Sequence, residues 1–150
     1  QKTGSGTAFA SATVSRFEPE PKPQATDFVV KSSLRTADET KSGIAVGEKA
    51  VLEINITAKT EARYVMLEIP IPASCTVAER PARPYYRGAY QEVKGDKVYV
   101  YVDRLAGNFT WQIELLPRYA GAYTLNPVKV ELMYFPTKSG NNEVKRVVVE

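Results

Sequence analysis

Histidine is absent from all 150 residues, and cysteine occurs once, at position 75. The first absence removes the commonest general base, the Ser-His-Asp and Cys-His nucleophile systems, and the usual ligand sets for zinc, copper and non-haem iron. The second excludes an internal disulfide and a thiolate cluster. Charge of one sign is lacking too: 20 Lys and Arg against 17 Asp and Glu leave +3. The basic residues are spread along the chain, which suits solubility better than a nucleic-acid footprint. No apolar run approaches the ~18 residues of a membrane helix, and no basic-then-apolar start resembles a signal peptide. A chain that opens at Gln1 is expected to be a mature protein or a piece of a larger one. Helical periodicity is missing as well, so no phosphate-binding loop before a helix can be assigned.

What is present is a composition of 43% hydrophobic and 25% charged residues, typical of one globular domain at this length. The hydrophobic pattern has period two. Leu52, Ile54, Ile56 and Ala58 alternate with Glu53, Asn55 and Thr57, as in a strand with one buried and one wet face. Val65, Leu67, Ile69 and Ile71 repeat the pattern until Pro70 and Pro72 remove ladder donors and end it. Val98, Val100 and Val102 form a third run, and Phe109, Trp111, Ile113 and Leu115 a fourth, which places the single Trp in the core. Val128, Val130, Leu132 and Tyr134 form a fifth, and weaker strands are expected over 7–16, 28–34, 119–125 and 144–149. Turn chemistry separates them at Val46-Gly47-Glu48, Lys94-Gly95-Asp96, Ala106-Gly107-Asn108, Ala120-Gly121 and Ser139-Gly140-Asn141-Asn142. About eight or nine short strands without a helix predict an all-β, antiparallel β-sandwich.

Residues 17–24 alternate proline with charged residues and favour extended polyproline conformation. Residues 1–24 are therefore expected to be an N-terminal strand and Pro-rich linker, and 25–150 the sandwich.

An enzyme reading finds little to use. Nothing near Cys75 in sequence lowers its pKa, so an inert thiol is expected. Glu53, Glu68, Glu114 and Glu131 all fall on polar faces of alternating strands, where solvation explains them better than a glycosidase pair. Asp38-Glu39 and Gly95-Asp96 supply too few oxygens for a calcium loop. We expect no catalytic residues, no metal and no cofactor. Two Asn-x-Thr tripeptides, at Asn55 and Asn108, lie at strand positions, which favours chance over glycosylation.

The segment that invites a functional reading is 79–91, where Tyr85, Tyr86, Arg87 and Tyr90 interleave aromatic and cationic groups. Such residues anchor protein interfaces, and can stack on sugars or bases. The plainer alternative is a long crossover loop whose tyrosines pack back on the sandwich. A carbohydrate- or protein-binding module standing alone is the functional alternative.

The order of several further motifs resembles the C-terminal part of bacterial α2-macroglobulin-like proteins. They are Ala8-Phe9-Ala10-Ser11-Ala12-Thr13-Val14, then Tyr64-Val65-Met66-Leu67-Glu68-Ile69-Pro70-Ile71-Pro72, Arg87-Gly88-Ala89-Tyr90-Gln91, Arg118-Tyr119-Ala120-Gly121-Ala122-Tyr123 and Glu131-Leu132-Met133-Tyr134. The resemblance implies a macroglobulin-type, fibronectin-III-like sandwich without catalytic machinery, belonging to a protease-trapping inhibitor. Cys75-Thr76-Val77-Ala78 is not the Cys-x-Glu-Gln thioester motif of that family, and residues 135–140 depart from its acidic form. The implied partners are other domains of the parent chain, and proteases through the full-length protein, with no nucleic acid and no direct membrane contact. The implied location is the periplasm or cell envelope.

Overall fold

In the computed structural model, the described residues are 3–15, 18–78 and 88–150. Among them are nine strands: β1 Phe28–Thr36, β2 Ala50–Pro70, β3 Cys75–Val77, β4 Ala89–Lys94, β5 Lys97–Pro117, β6 Gly121–Leu125, β7 Lys129–Leu132, β8 Phe135–Asn141 and β9 Lys145–Val149. All named strand pairs are antiparallel, and no helix occurs among the described residues. The architecture is the expected all-β sandwich, built less evenly than the sequence suggests.

The first four alternating runs are not separate strands. They merge pairwise into β2 and β5, each 21 residues long, which pair along their whole length. The first half of β2 also pairs with β1, and its second half with β7. The first half of β5 pairs with β4, and its last residues with β3. The two halves face one another across one core. Trp111, from the second half of β5, is buried and donates its indole N–H to Gln91 of β4 at 2.9 Å. Phe109, Trp111, Leu52, Ile54, Leu67 and Val100 belong to this same cluster. A second, two-stranded sheet of β6 and β9 is joined to the rest by a parallel bridge from Ile44 to Val149.

A strand that serves both halves must change which side chains it turns inward. On β2 the buried set is even-numbered from Ala50 to Ala62 and odd-numbered from Val65 to Ile69. On β5 it changes from even to odd between Val102 and Leu105. The register slips between Ala58 and Ala62, and Tyr64 adopts φ +54°, the left-handed region that a non-glycine residue enters at a cost of about 1–2 kcal/mol. Gly107, in the expected turn Ala106-Gly107-Asn108, has φ +70° but lies inside β5, where glycine supplies a kink rather than a connection.

Other expectations are corrected here. Ser139-Gly140-Asn141 is part of β8, not a turn: a Cβ at Gly140 would meet the Phe28 carbonyl oxygen at 2.3 Å, so glycine is there to let two backbones approach. Asn142 follows, buried, accepting from the Val128 amide at 2.6 Å and donating to Ser32 Oγ at 2.7 Å. Tyr134 does not continue the inward face of β7, because the strand stops at Leu132 and Met133 and Tyr134 form the two-residue connection to β8. Ala89–Gln91, expected in a long connection, begins β4. Residues 7–15 carry no strand pairing among the described residues.

Candidate docking surface

The change of inner face on β2 places an aromatic cluster on the outside. Tyr64, turned out by its left-handed backbone, packs edge-to-face on Tyr134, with ring centroids 5.5 Å apart and planes at 83°. The Met133 amide donates to the Tyr64 carbonyl at 2.9 Å and ties the β7–β8 connection to the β2 bulge. Phe135 stands beside them, and all four side chains are exposed, Tyr134 at 70%. Contiguous exposed aromatics with an exposed methionine mark contact surfaces more often than they occur by chance.

Beside this cluster lies a cavity of about 230 Å³ lined by Phe28, Ala62, Tyr64, Leu132, Tyr134 and Phe135. Its rim is charged and balanced. Arg104 holds Glu61 at 2.7 Å, and this hydrogen bond keeps the Glu61 carboxyl below its ordinary pKa. Arg63 reaches the same carboxylate at 3.8 Å. An apolar floor with an ion-paired rim can accept an apolar side chain from another domain without burying an unpaired charge.

Of the residues singled out in the sequence, Tyr85, Tyr86 and Arg87 lie outside the described residues. Tyr90 is on β4, 63% exposed, with its ring within 20° of parallel to that of Tyr101 at a centroid distance of 6.2 Å. Tyr64, Met133, Tyr134 and Phe135 were not identified as candidates from the sequence. The signal that could have found Tyr64 is the slip from even to odd hydrophobic positions between the runs 52–58 and 65–71.

The carboxylates considered for catalysis are engaged elsewhere. Glu68 pairs with Lys97 at 2.6 Å, Glu114 with Lys49 at 3.0 Å and Glu131 with Lys129 at 2.6 Å. Glu53 accepts from Asn55 at 2.9 Å and Gln112 at 2.8 Å, and those two amides lower its pKa. Cys75 is partly buried, with its sulfur 3.5 Å from Ser74 Oγ, and burial pushes its thiol pKa up, away from nucleophile chemistry. The two Asn-x-Thr tripeptides have a structural explanation. The antiparallel register sets each Asn opposite the other's Thr, and Thr110 donates to Asn55 at 2.7 Å while Thr57 donates to Asn108 at 2.8 Å.

The pairing of these nine strands among the described residues defines an antiparallel β-sandwich domain. Residues 28–137 match the family described as the bacterial alpha-2-macroglobulin MG10 domain, and the chain belongs to that family. The fold is similar to that of an alpha-2-macroglobulin structure from Escherichia coli spanning domain MG7 to the C-terminus. The TM-score is 0.73 at 15% identity, covering 87% of this chain and 24% of that one. It is similar also to the Y1175G mutant of the Salmonella protein, with a TM-score of 0.75 at 15% identity over 86% of this chain and 10% of that one. A cohesin module from a Clostridium perfringens family 33 glycoside hydrolase gives 0.51 at 14% identity, over 81% of this chain and 97% of that one. At these identities the likeness is one of fold. The chain thus spans a quarter or less of the two alpha-2-macroglobulin chains. No curated protein sequence matches it.

Proposed function

We propose that this sandwich is a non-catalytic domain of a bacterial protease-trapping protein of the periplasm or cell envelope, and that it works by docking against other domains of its parent chain. The observation that carries this reading is the Tyr64–Tyr134 pair, raised on a left-handed residue beside an apolar cavity at the edge of the fold. Docking of this kind acts on a trap by holding it in one of two arrangements, which requires contacts that differ between them. Covering an exposed aromatic ring contributes about 1–3 kcal/mol. Tyr64, Tyr134 and Phe135 together give about 3–9 kcal/mol, a range that contains the roughly 5.5 kcal/mol that moves a two-state population from 1:99 to 99:1. Tyr90, with Tyr85, Tyr86 and Arg87 of the same sequence segment, is a second proposed contact.

The test uses the full-length parent. Tyr64→Ser with Tyr134→Ser should loosen the resting arrangement, seen as altered compaction in small-angle scattering and as altered capture of an added protease. Unchanged scattering and unchanged capture, with the variant folded by circular dichroism, would sink the assignment of this surface.

A further inference from the structure

β8 ends its sheet, so the backbone of Phe135–Asn141 has a side that β7 does not pair. Such an edge is a template for another strand unless something blunts it. The two halves of this edge are blunted differently. In the first, Pro136 supplies no amide donor and Lys138 carries an exposed charge. Ser139, Gly140 and Asn141 have neither device, and there the chain covers its own edge.

Gln24 and Asn141 exchange both backbone hydrogen bonds, at 3.0 and 2.9 Å, in an antiparallel bridge. Asn141 Nδ2 donates to the Lys22 carbonyl at 3.0 Å, and Lys59 of β2 holds the Ala25 carbonyl. Further upstream the chain stays against this edge, since Val14, Ser15, Glu18 and Pro21 line one cavity with Gln24 and Asn141. A segment laid on an edge makes a new edge of its own, and here the new one is closed. The peptide groups of an extended chain alternate sides, so with Gln24 and the Lys22 carbonyl turned to β8, the outward positions are those of Pro23 and Pro21. Proline has no N–H, so neither position can donate to a further strand.

We propose that residues 21–27 are a guard that keeps a second copy of this chain from pairing along β8. Uncovered, that edge is self-complementary. Antiparallel pairing about Gly140 sets Ser139 against Asn141 and Lys138 against Asn142 of the other copy, with no side chain at the centre and no like charges opposed. The guard is a property of the domain itself and stands apart from the docking surface at Tyr64 and Tyr134.

Light scattering of the full-length parent over a dilution series, with amide exchange on the same samples, tests it. Gln24→Pro deletes the donor to Asn141 and should speed exchange of the Asn141 amide by about 5-fold or more when dilute. At higher concentration a dimer should form beyond the wild-type mass, and the Asn141 amide should regain protection with it. Pro21→Ala with Pro23→Ala keeps the anchor and restores two outward donors, so it should dimerise with the Asn141 amide slow at every dilution. Unchanged exchange across β2 and β5 shows that each variant is folded. A folded variant of either kind that keeps the wild-type mass at every concentration overturns the proposal. So does a Gln24→Pro dimer whose Asn141 amide stays fast, because its contact lies elsewhere, and so does an Asn141 amide that the dilute Gln24→Pro variant leaves as slow as in the wild type.

Discussion

A methyl group added at Gly140 would sit 2.3 Å from the Phe28 carbonyl oxygen and 3.1 Å from that of Gln24. Carbon and carbonyl oxygen touch at about 3.3–3.6 Å, so the first contact is short by about 1 Å. Both obstacles are backbone, and neither can rotate away as a side chain would. In Gly140→Ala, β8 must therefore withdraw from residues 24–28, and the Gln24–Asn141 pair, at 3.0 and 2.9 Å, lengthens with it. Two weakened backbone bonds at about 1 kcal/mol each, with about 1–3 kcal/mol for overpacking, give a loss of roughly 3–5 kcal/mol. At about 2–4 °C per kcal/mol for a chain of this size, the melting temperature should fall by roughly 10 °C.

Gly95→Ala is the control. Gly95 has φ +60° and open space where a Cβ would lie, so its substitution carries only the left-handed penalty of about 1–2 kcal/mol. Urea unfolding of both variants, with amide exchange at Gln24 and Asn141, measures the difference. If Gly140→Ala costs no more than Gly95→Ala and both amides stay protected, the close-approach argument is wrong.

Asn142→Ala strands the buried Val128 amide and the Ser32 hydroxyl, and should cost about 2–4 kcal/mol by urea midpoint; a loss under about 1 kcal/mol would mean that water or a shifted backbone replaces the amide. Trp111→Phe removes the donor to Gln91 and part of the largest fully buried side chain, and should cost about 2–3 kcal/mol by circular dichroism; a smaller change would show that the two halves do not meet at that bond. Glu53 has a lowered pKa from the Asn55 and Gln112 amides, so its folded value lies below its unfolded one. Its stabilisation is present above the unfolded carboxylate range, about pH 4.3, and fades as pH falls through the folded pKa. Glu53→Gln should flatten the acid limb of the stability curve, and an unchanged limb would count against this hydrogen-bonded pairing.

The alternating runs were legible as strands because each has one wet face, and the position of Trp111 followed directly from its run. What the pattern could not carry was continuity. Between Ala58 and Val65 the sequence reads Lys59-Thr60-Glu61-Ala62-Arg63-Tyr64, polar enough to pass for a loop, because the outer side of a bend is solvated just as a loop is. Gly107 misled in the same way, since φ > 0 serves a strand kink as well as a turn. Gly140 was read as turn chemistry, although its reason is the Phe28 carbonyl across the sheet, a contact 112 positions away that no local window contains. The aromatic surface was missed on the same ground: Tyr64 and Tyr134 are 70 positions apart, and only the slip in β2 and the short β7–β8 connection bring the rings together.

Those two irregular positions bear on function when set side by side. The long strands bend at Gly107 on β5 and at Tyr64 on β2, both at positive φ. Where the backbone alone matters, glycine fills the position without strain. At Tyr64 the same glycine would relieve about 1–2 kcal/mol of left-handed cost, yet the chain carries a ring there, half exposed and packed on Tyr134. The aromatic pair returns about 0.5–1.5 kcal/mol on top of what the covered half of the ring gains by leaving water, so the strain is offset within the domain. What the domain's own packing leaves unused is the half of the Tyr64 ring that stays in water. Under the proposed docking, that exposed half is the part a partner would cover, since the ring, and not the kink, offers it apolar surface.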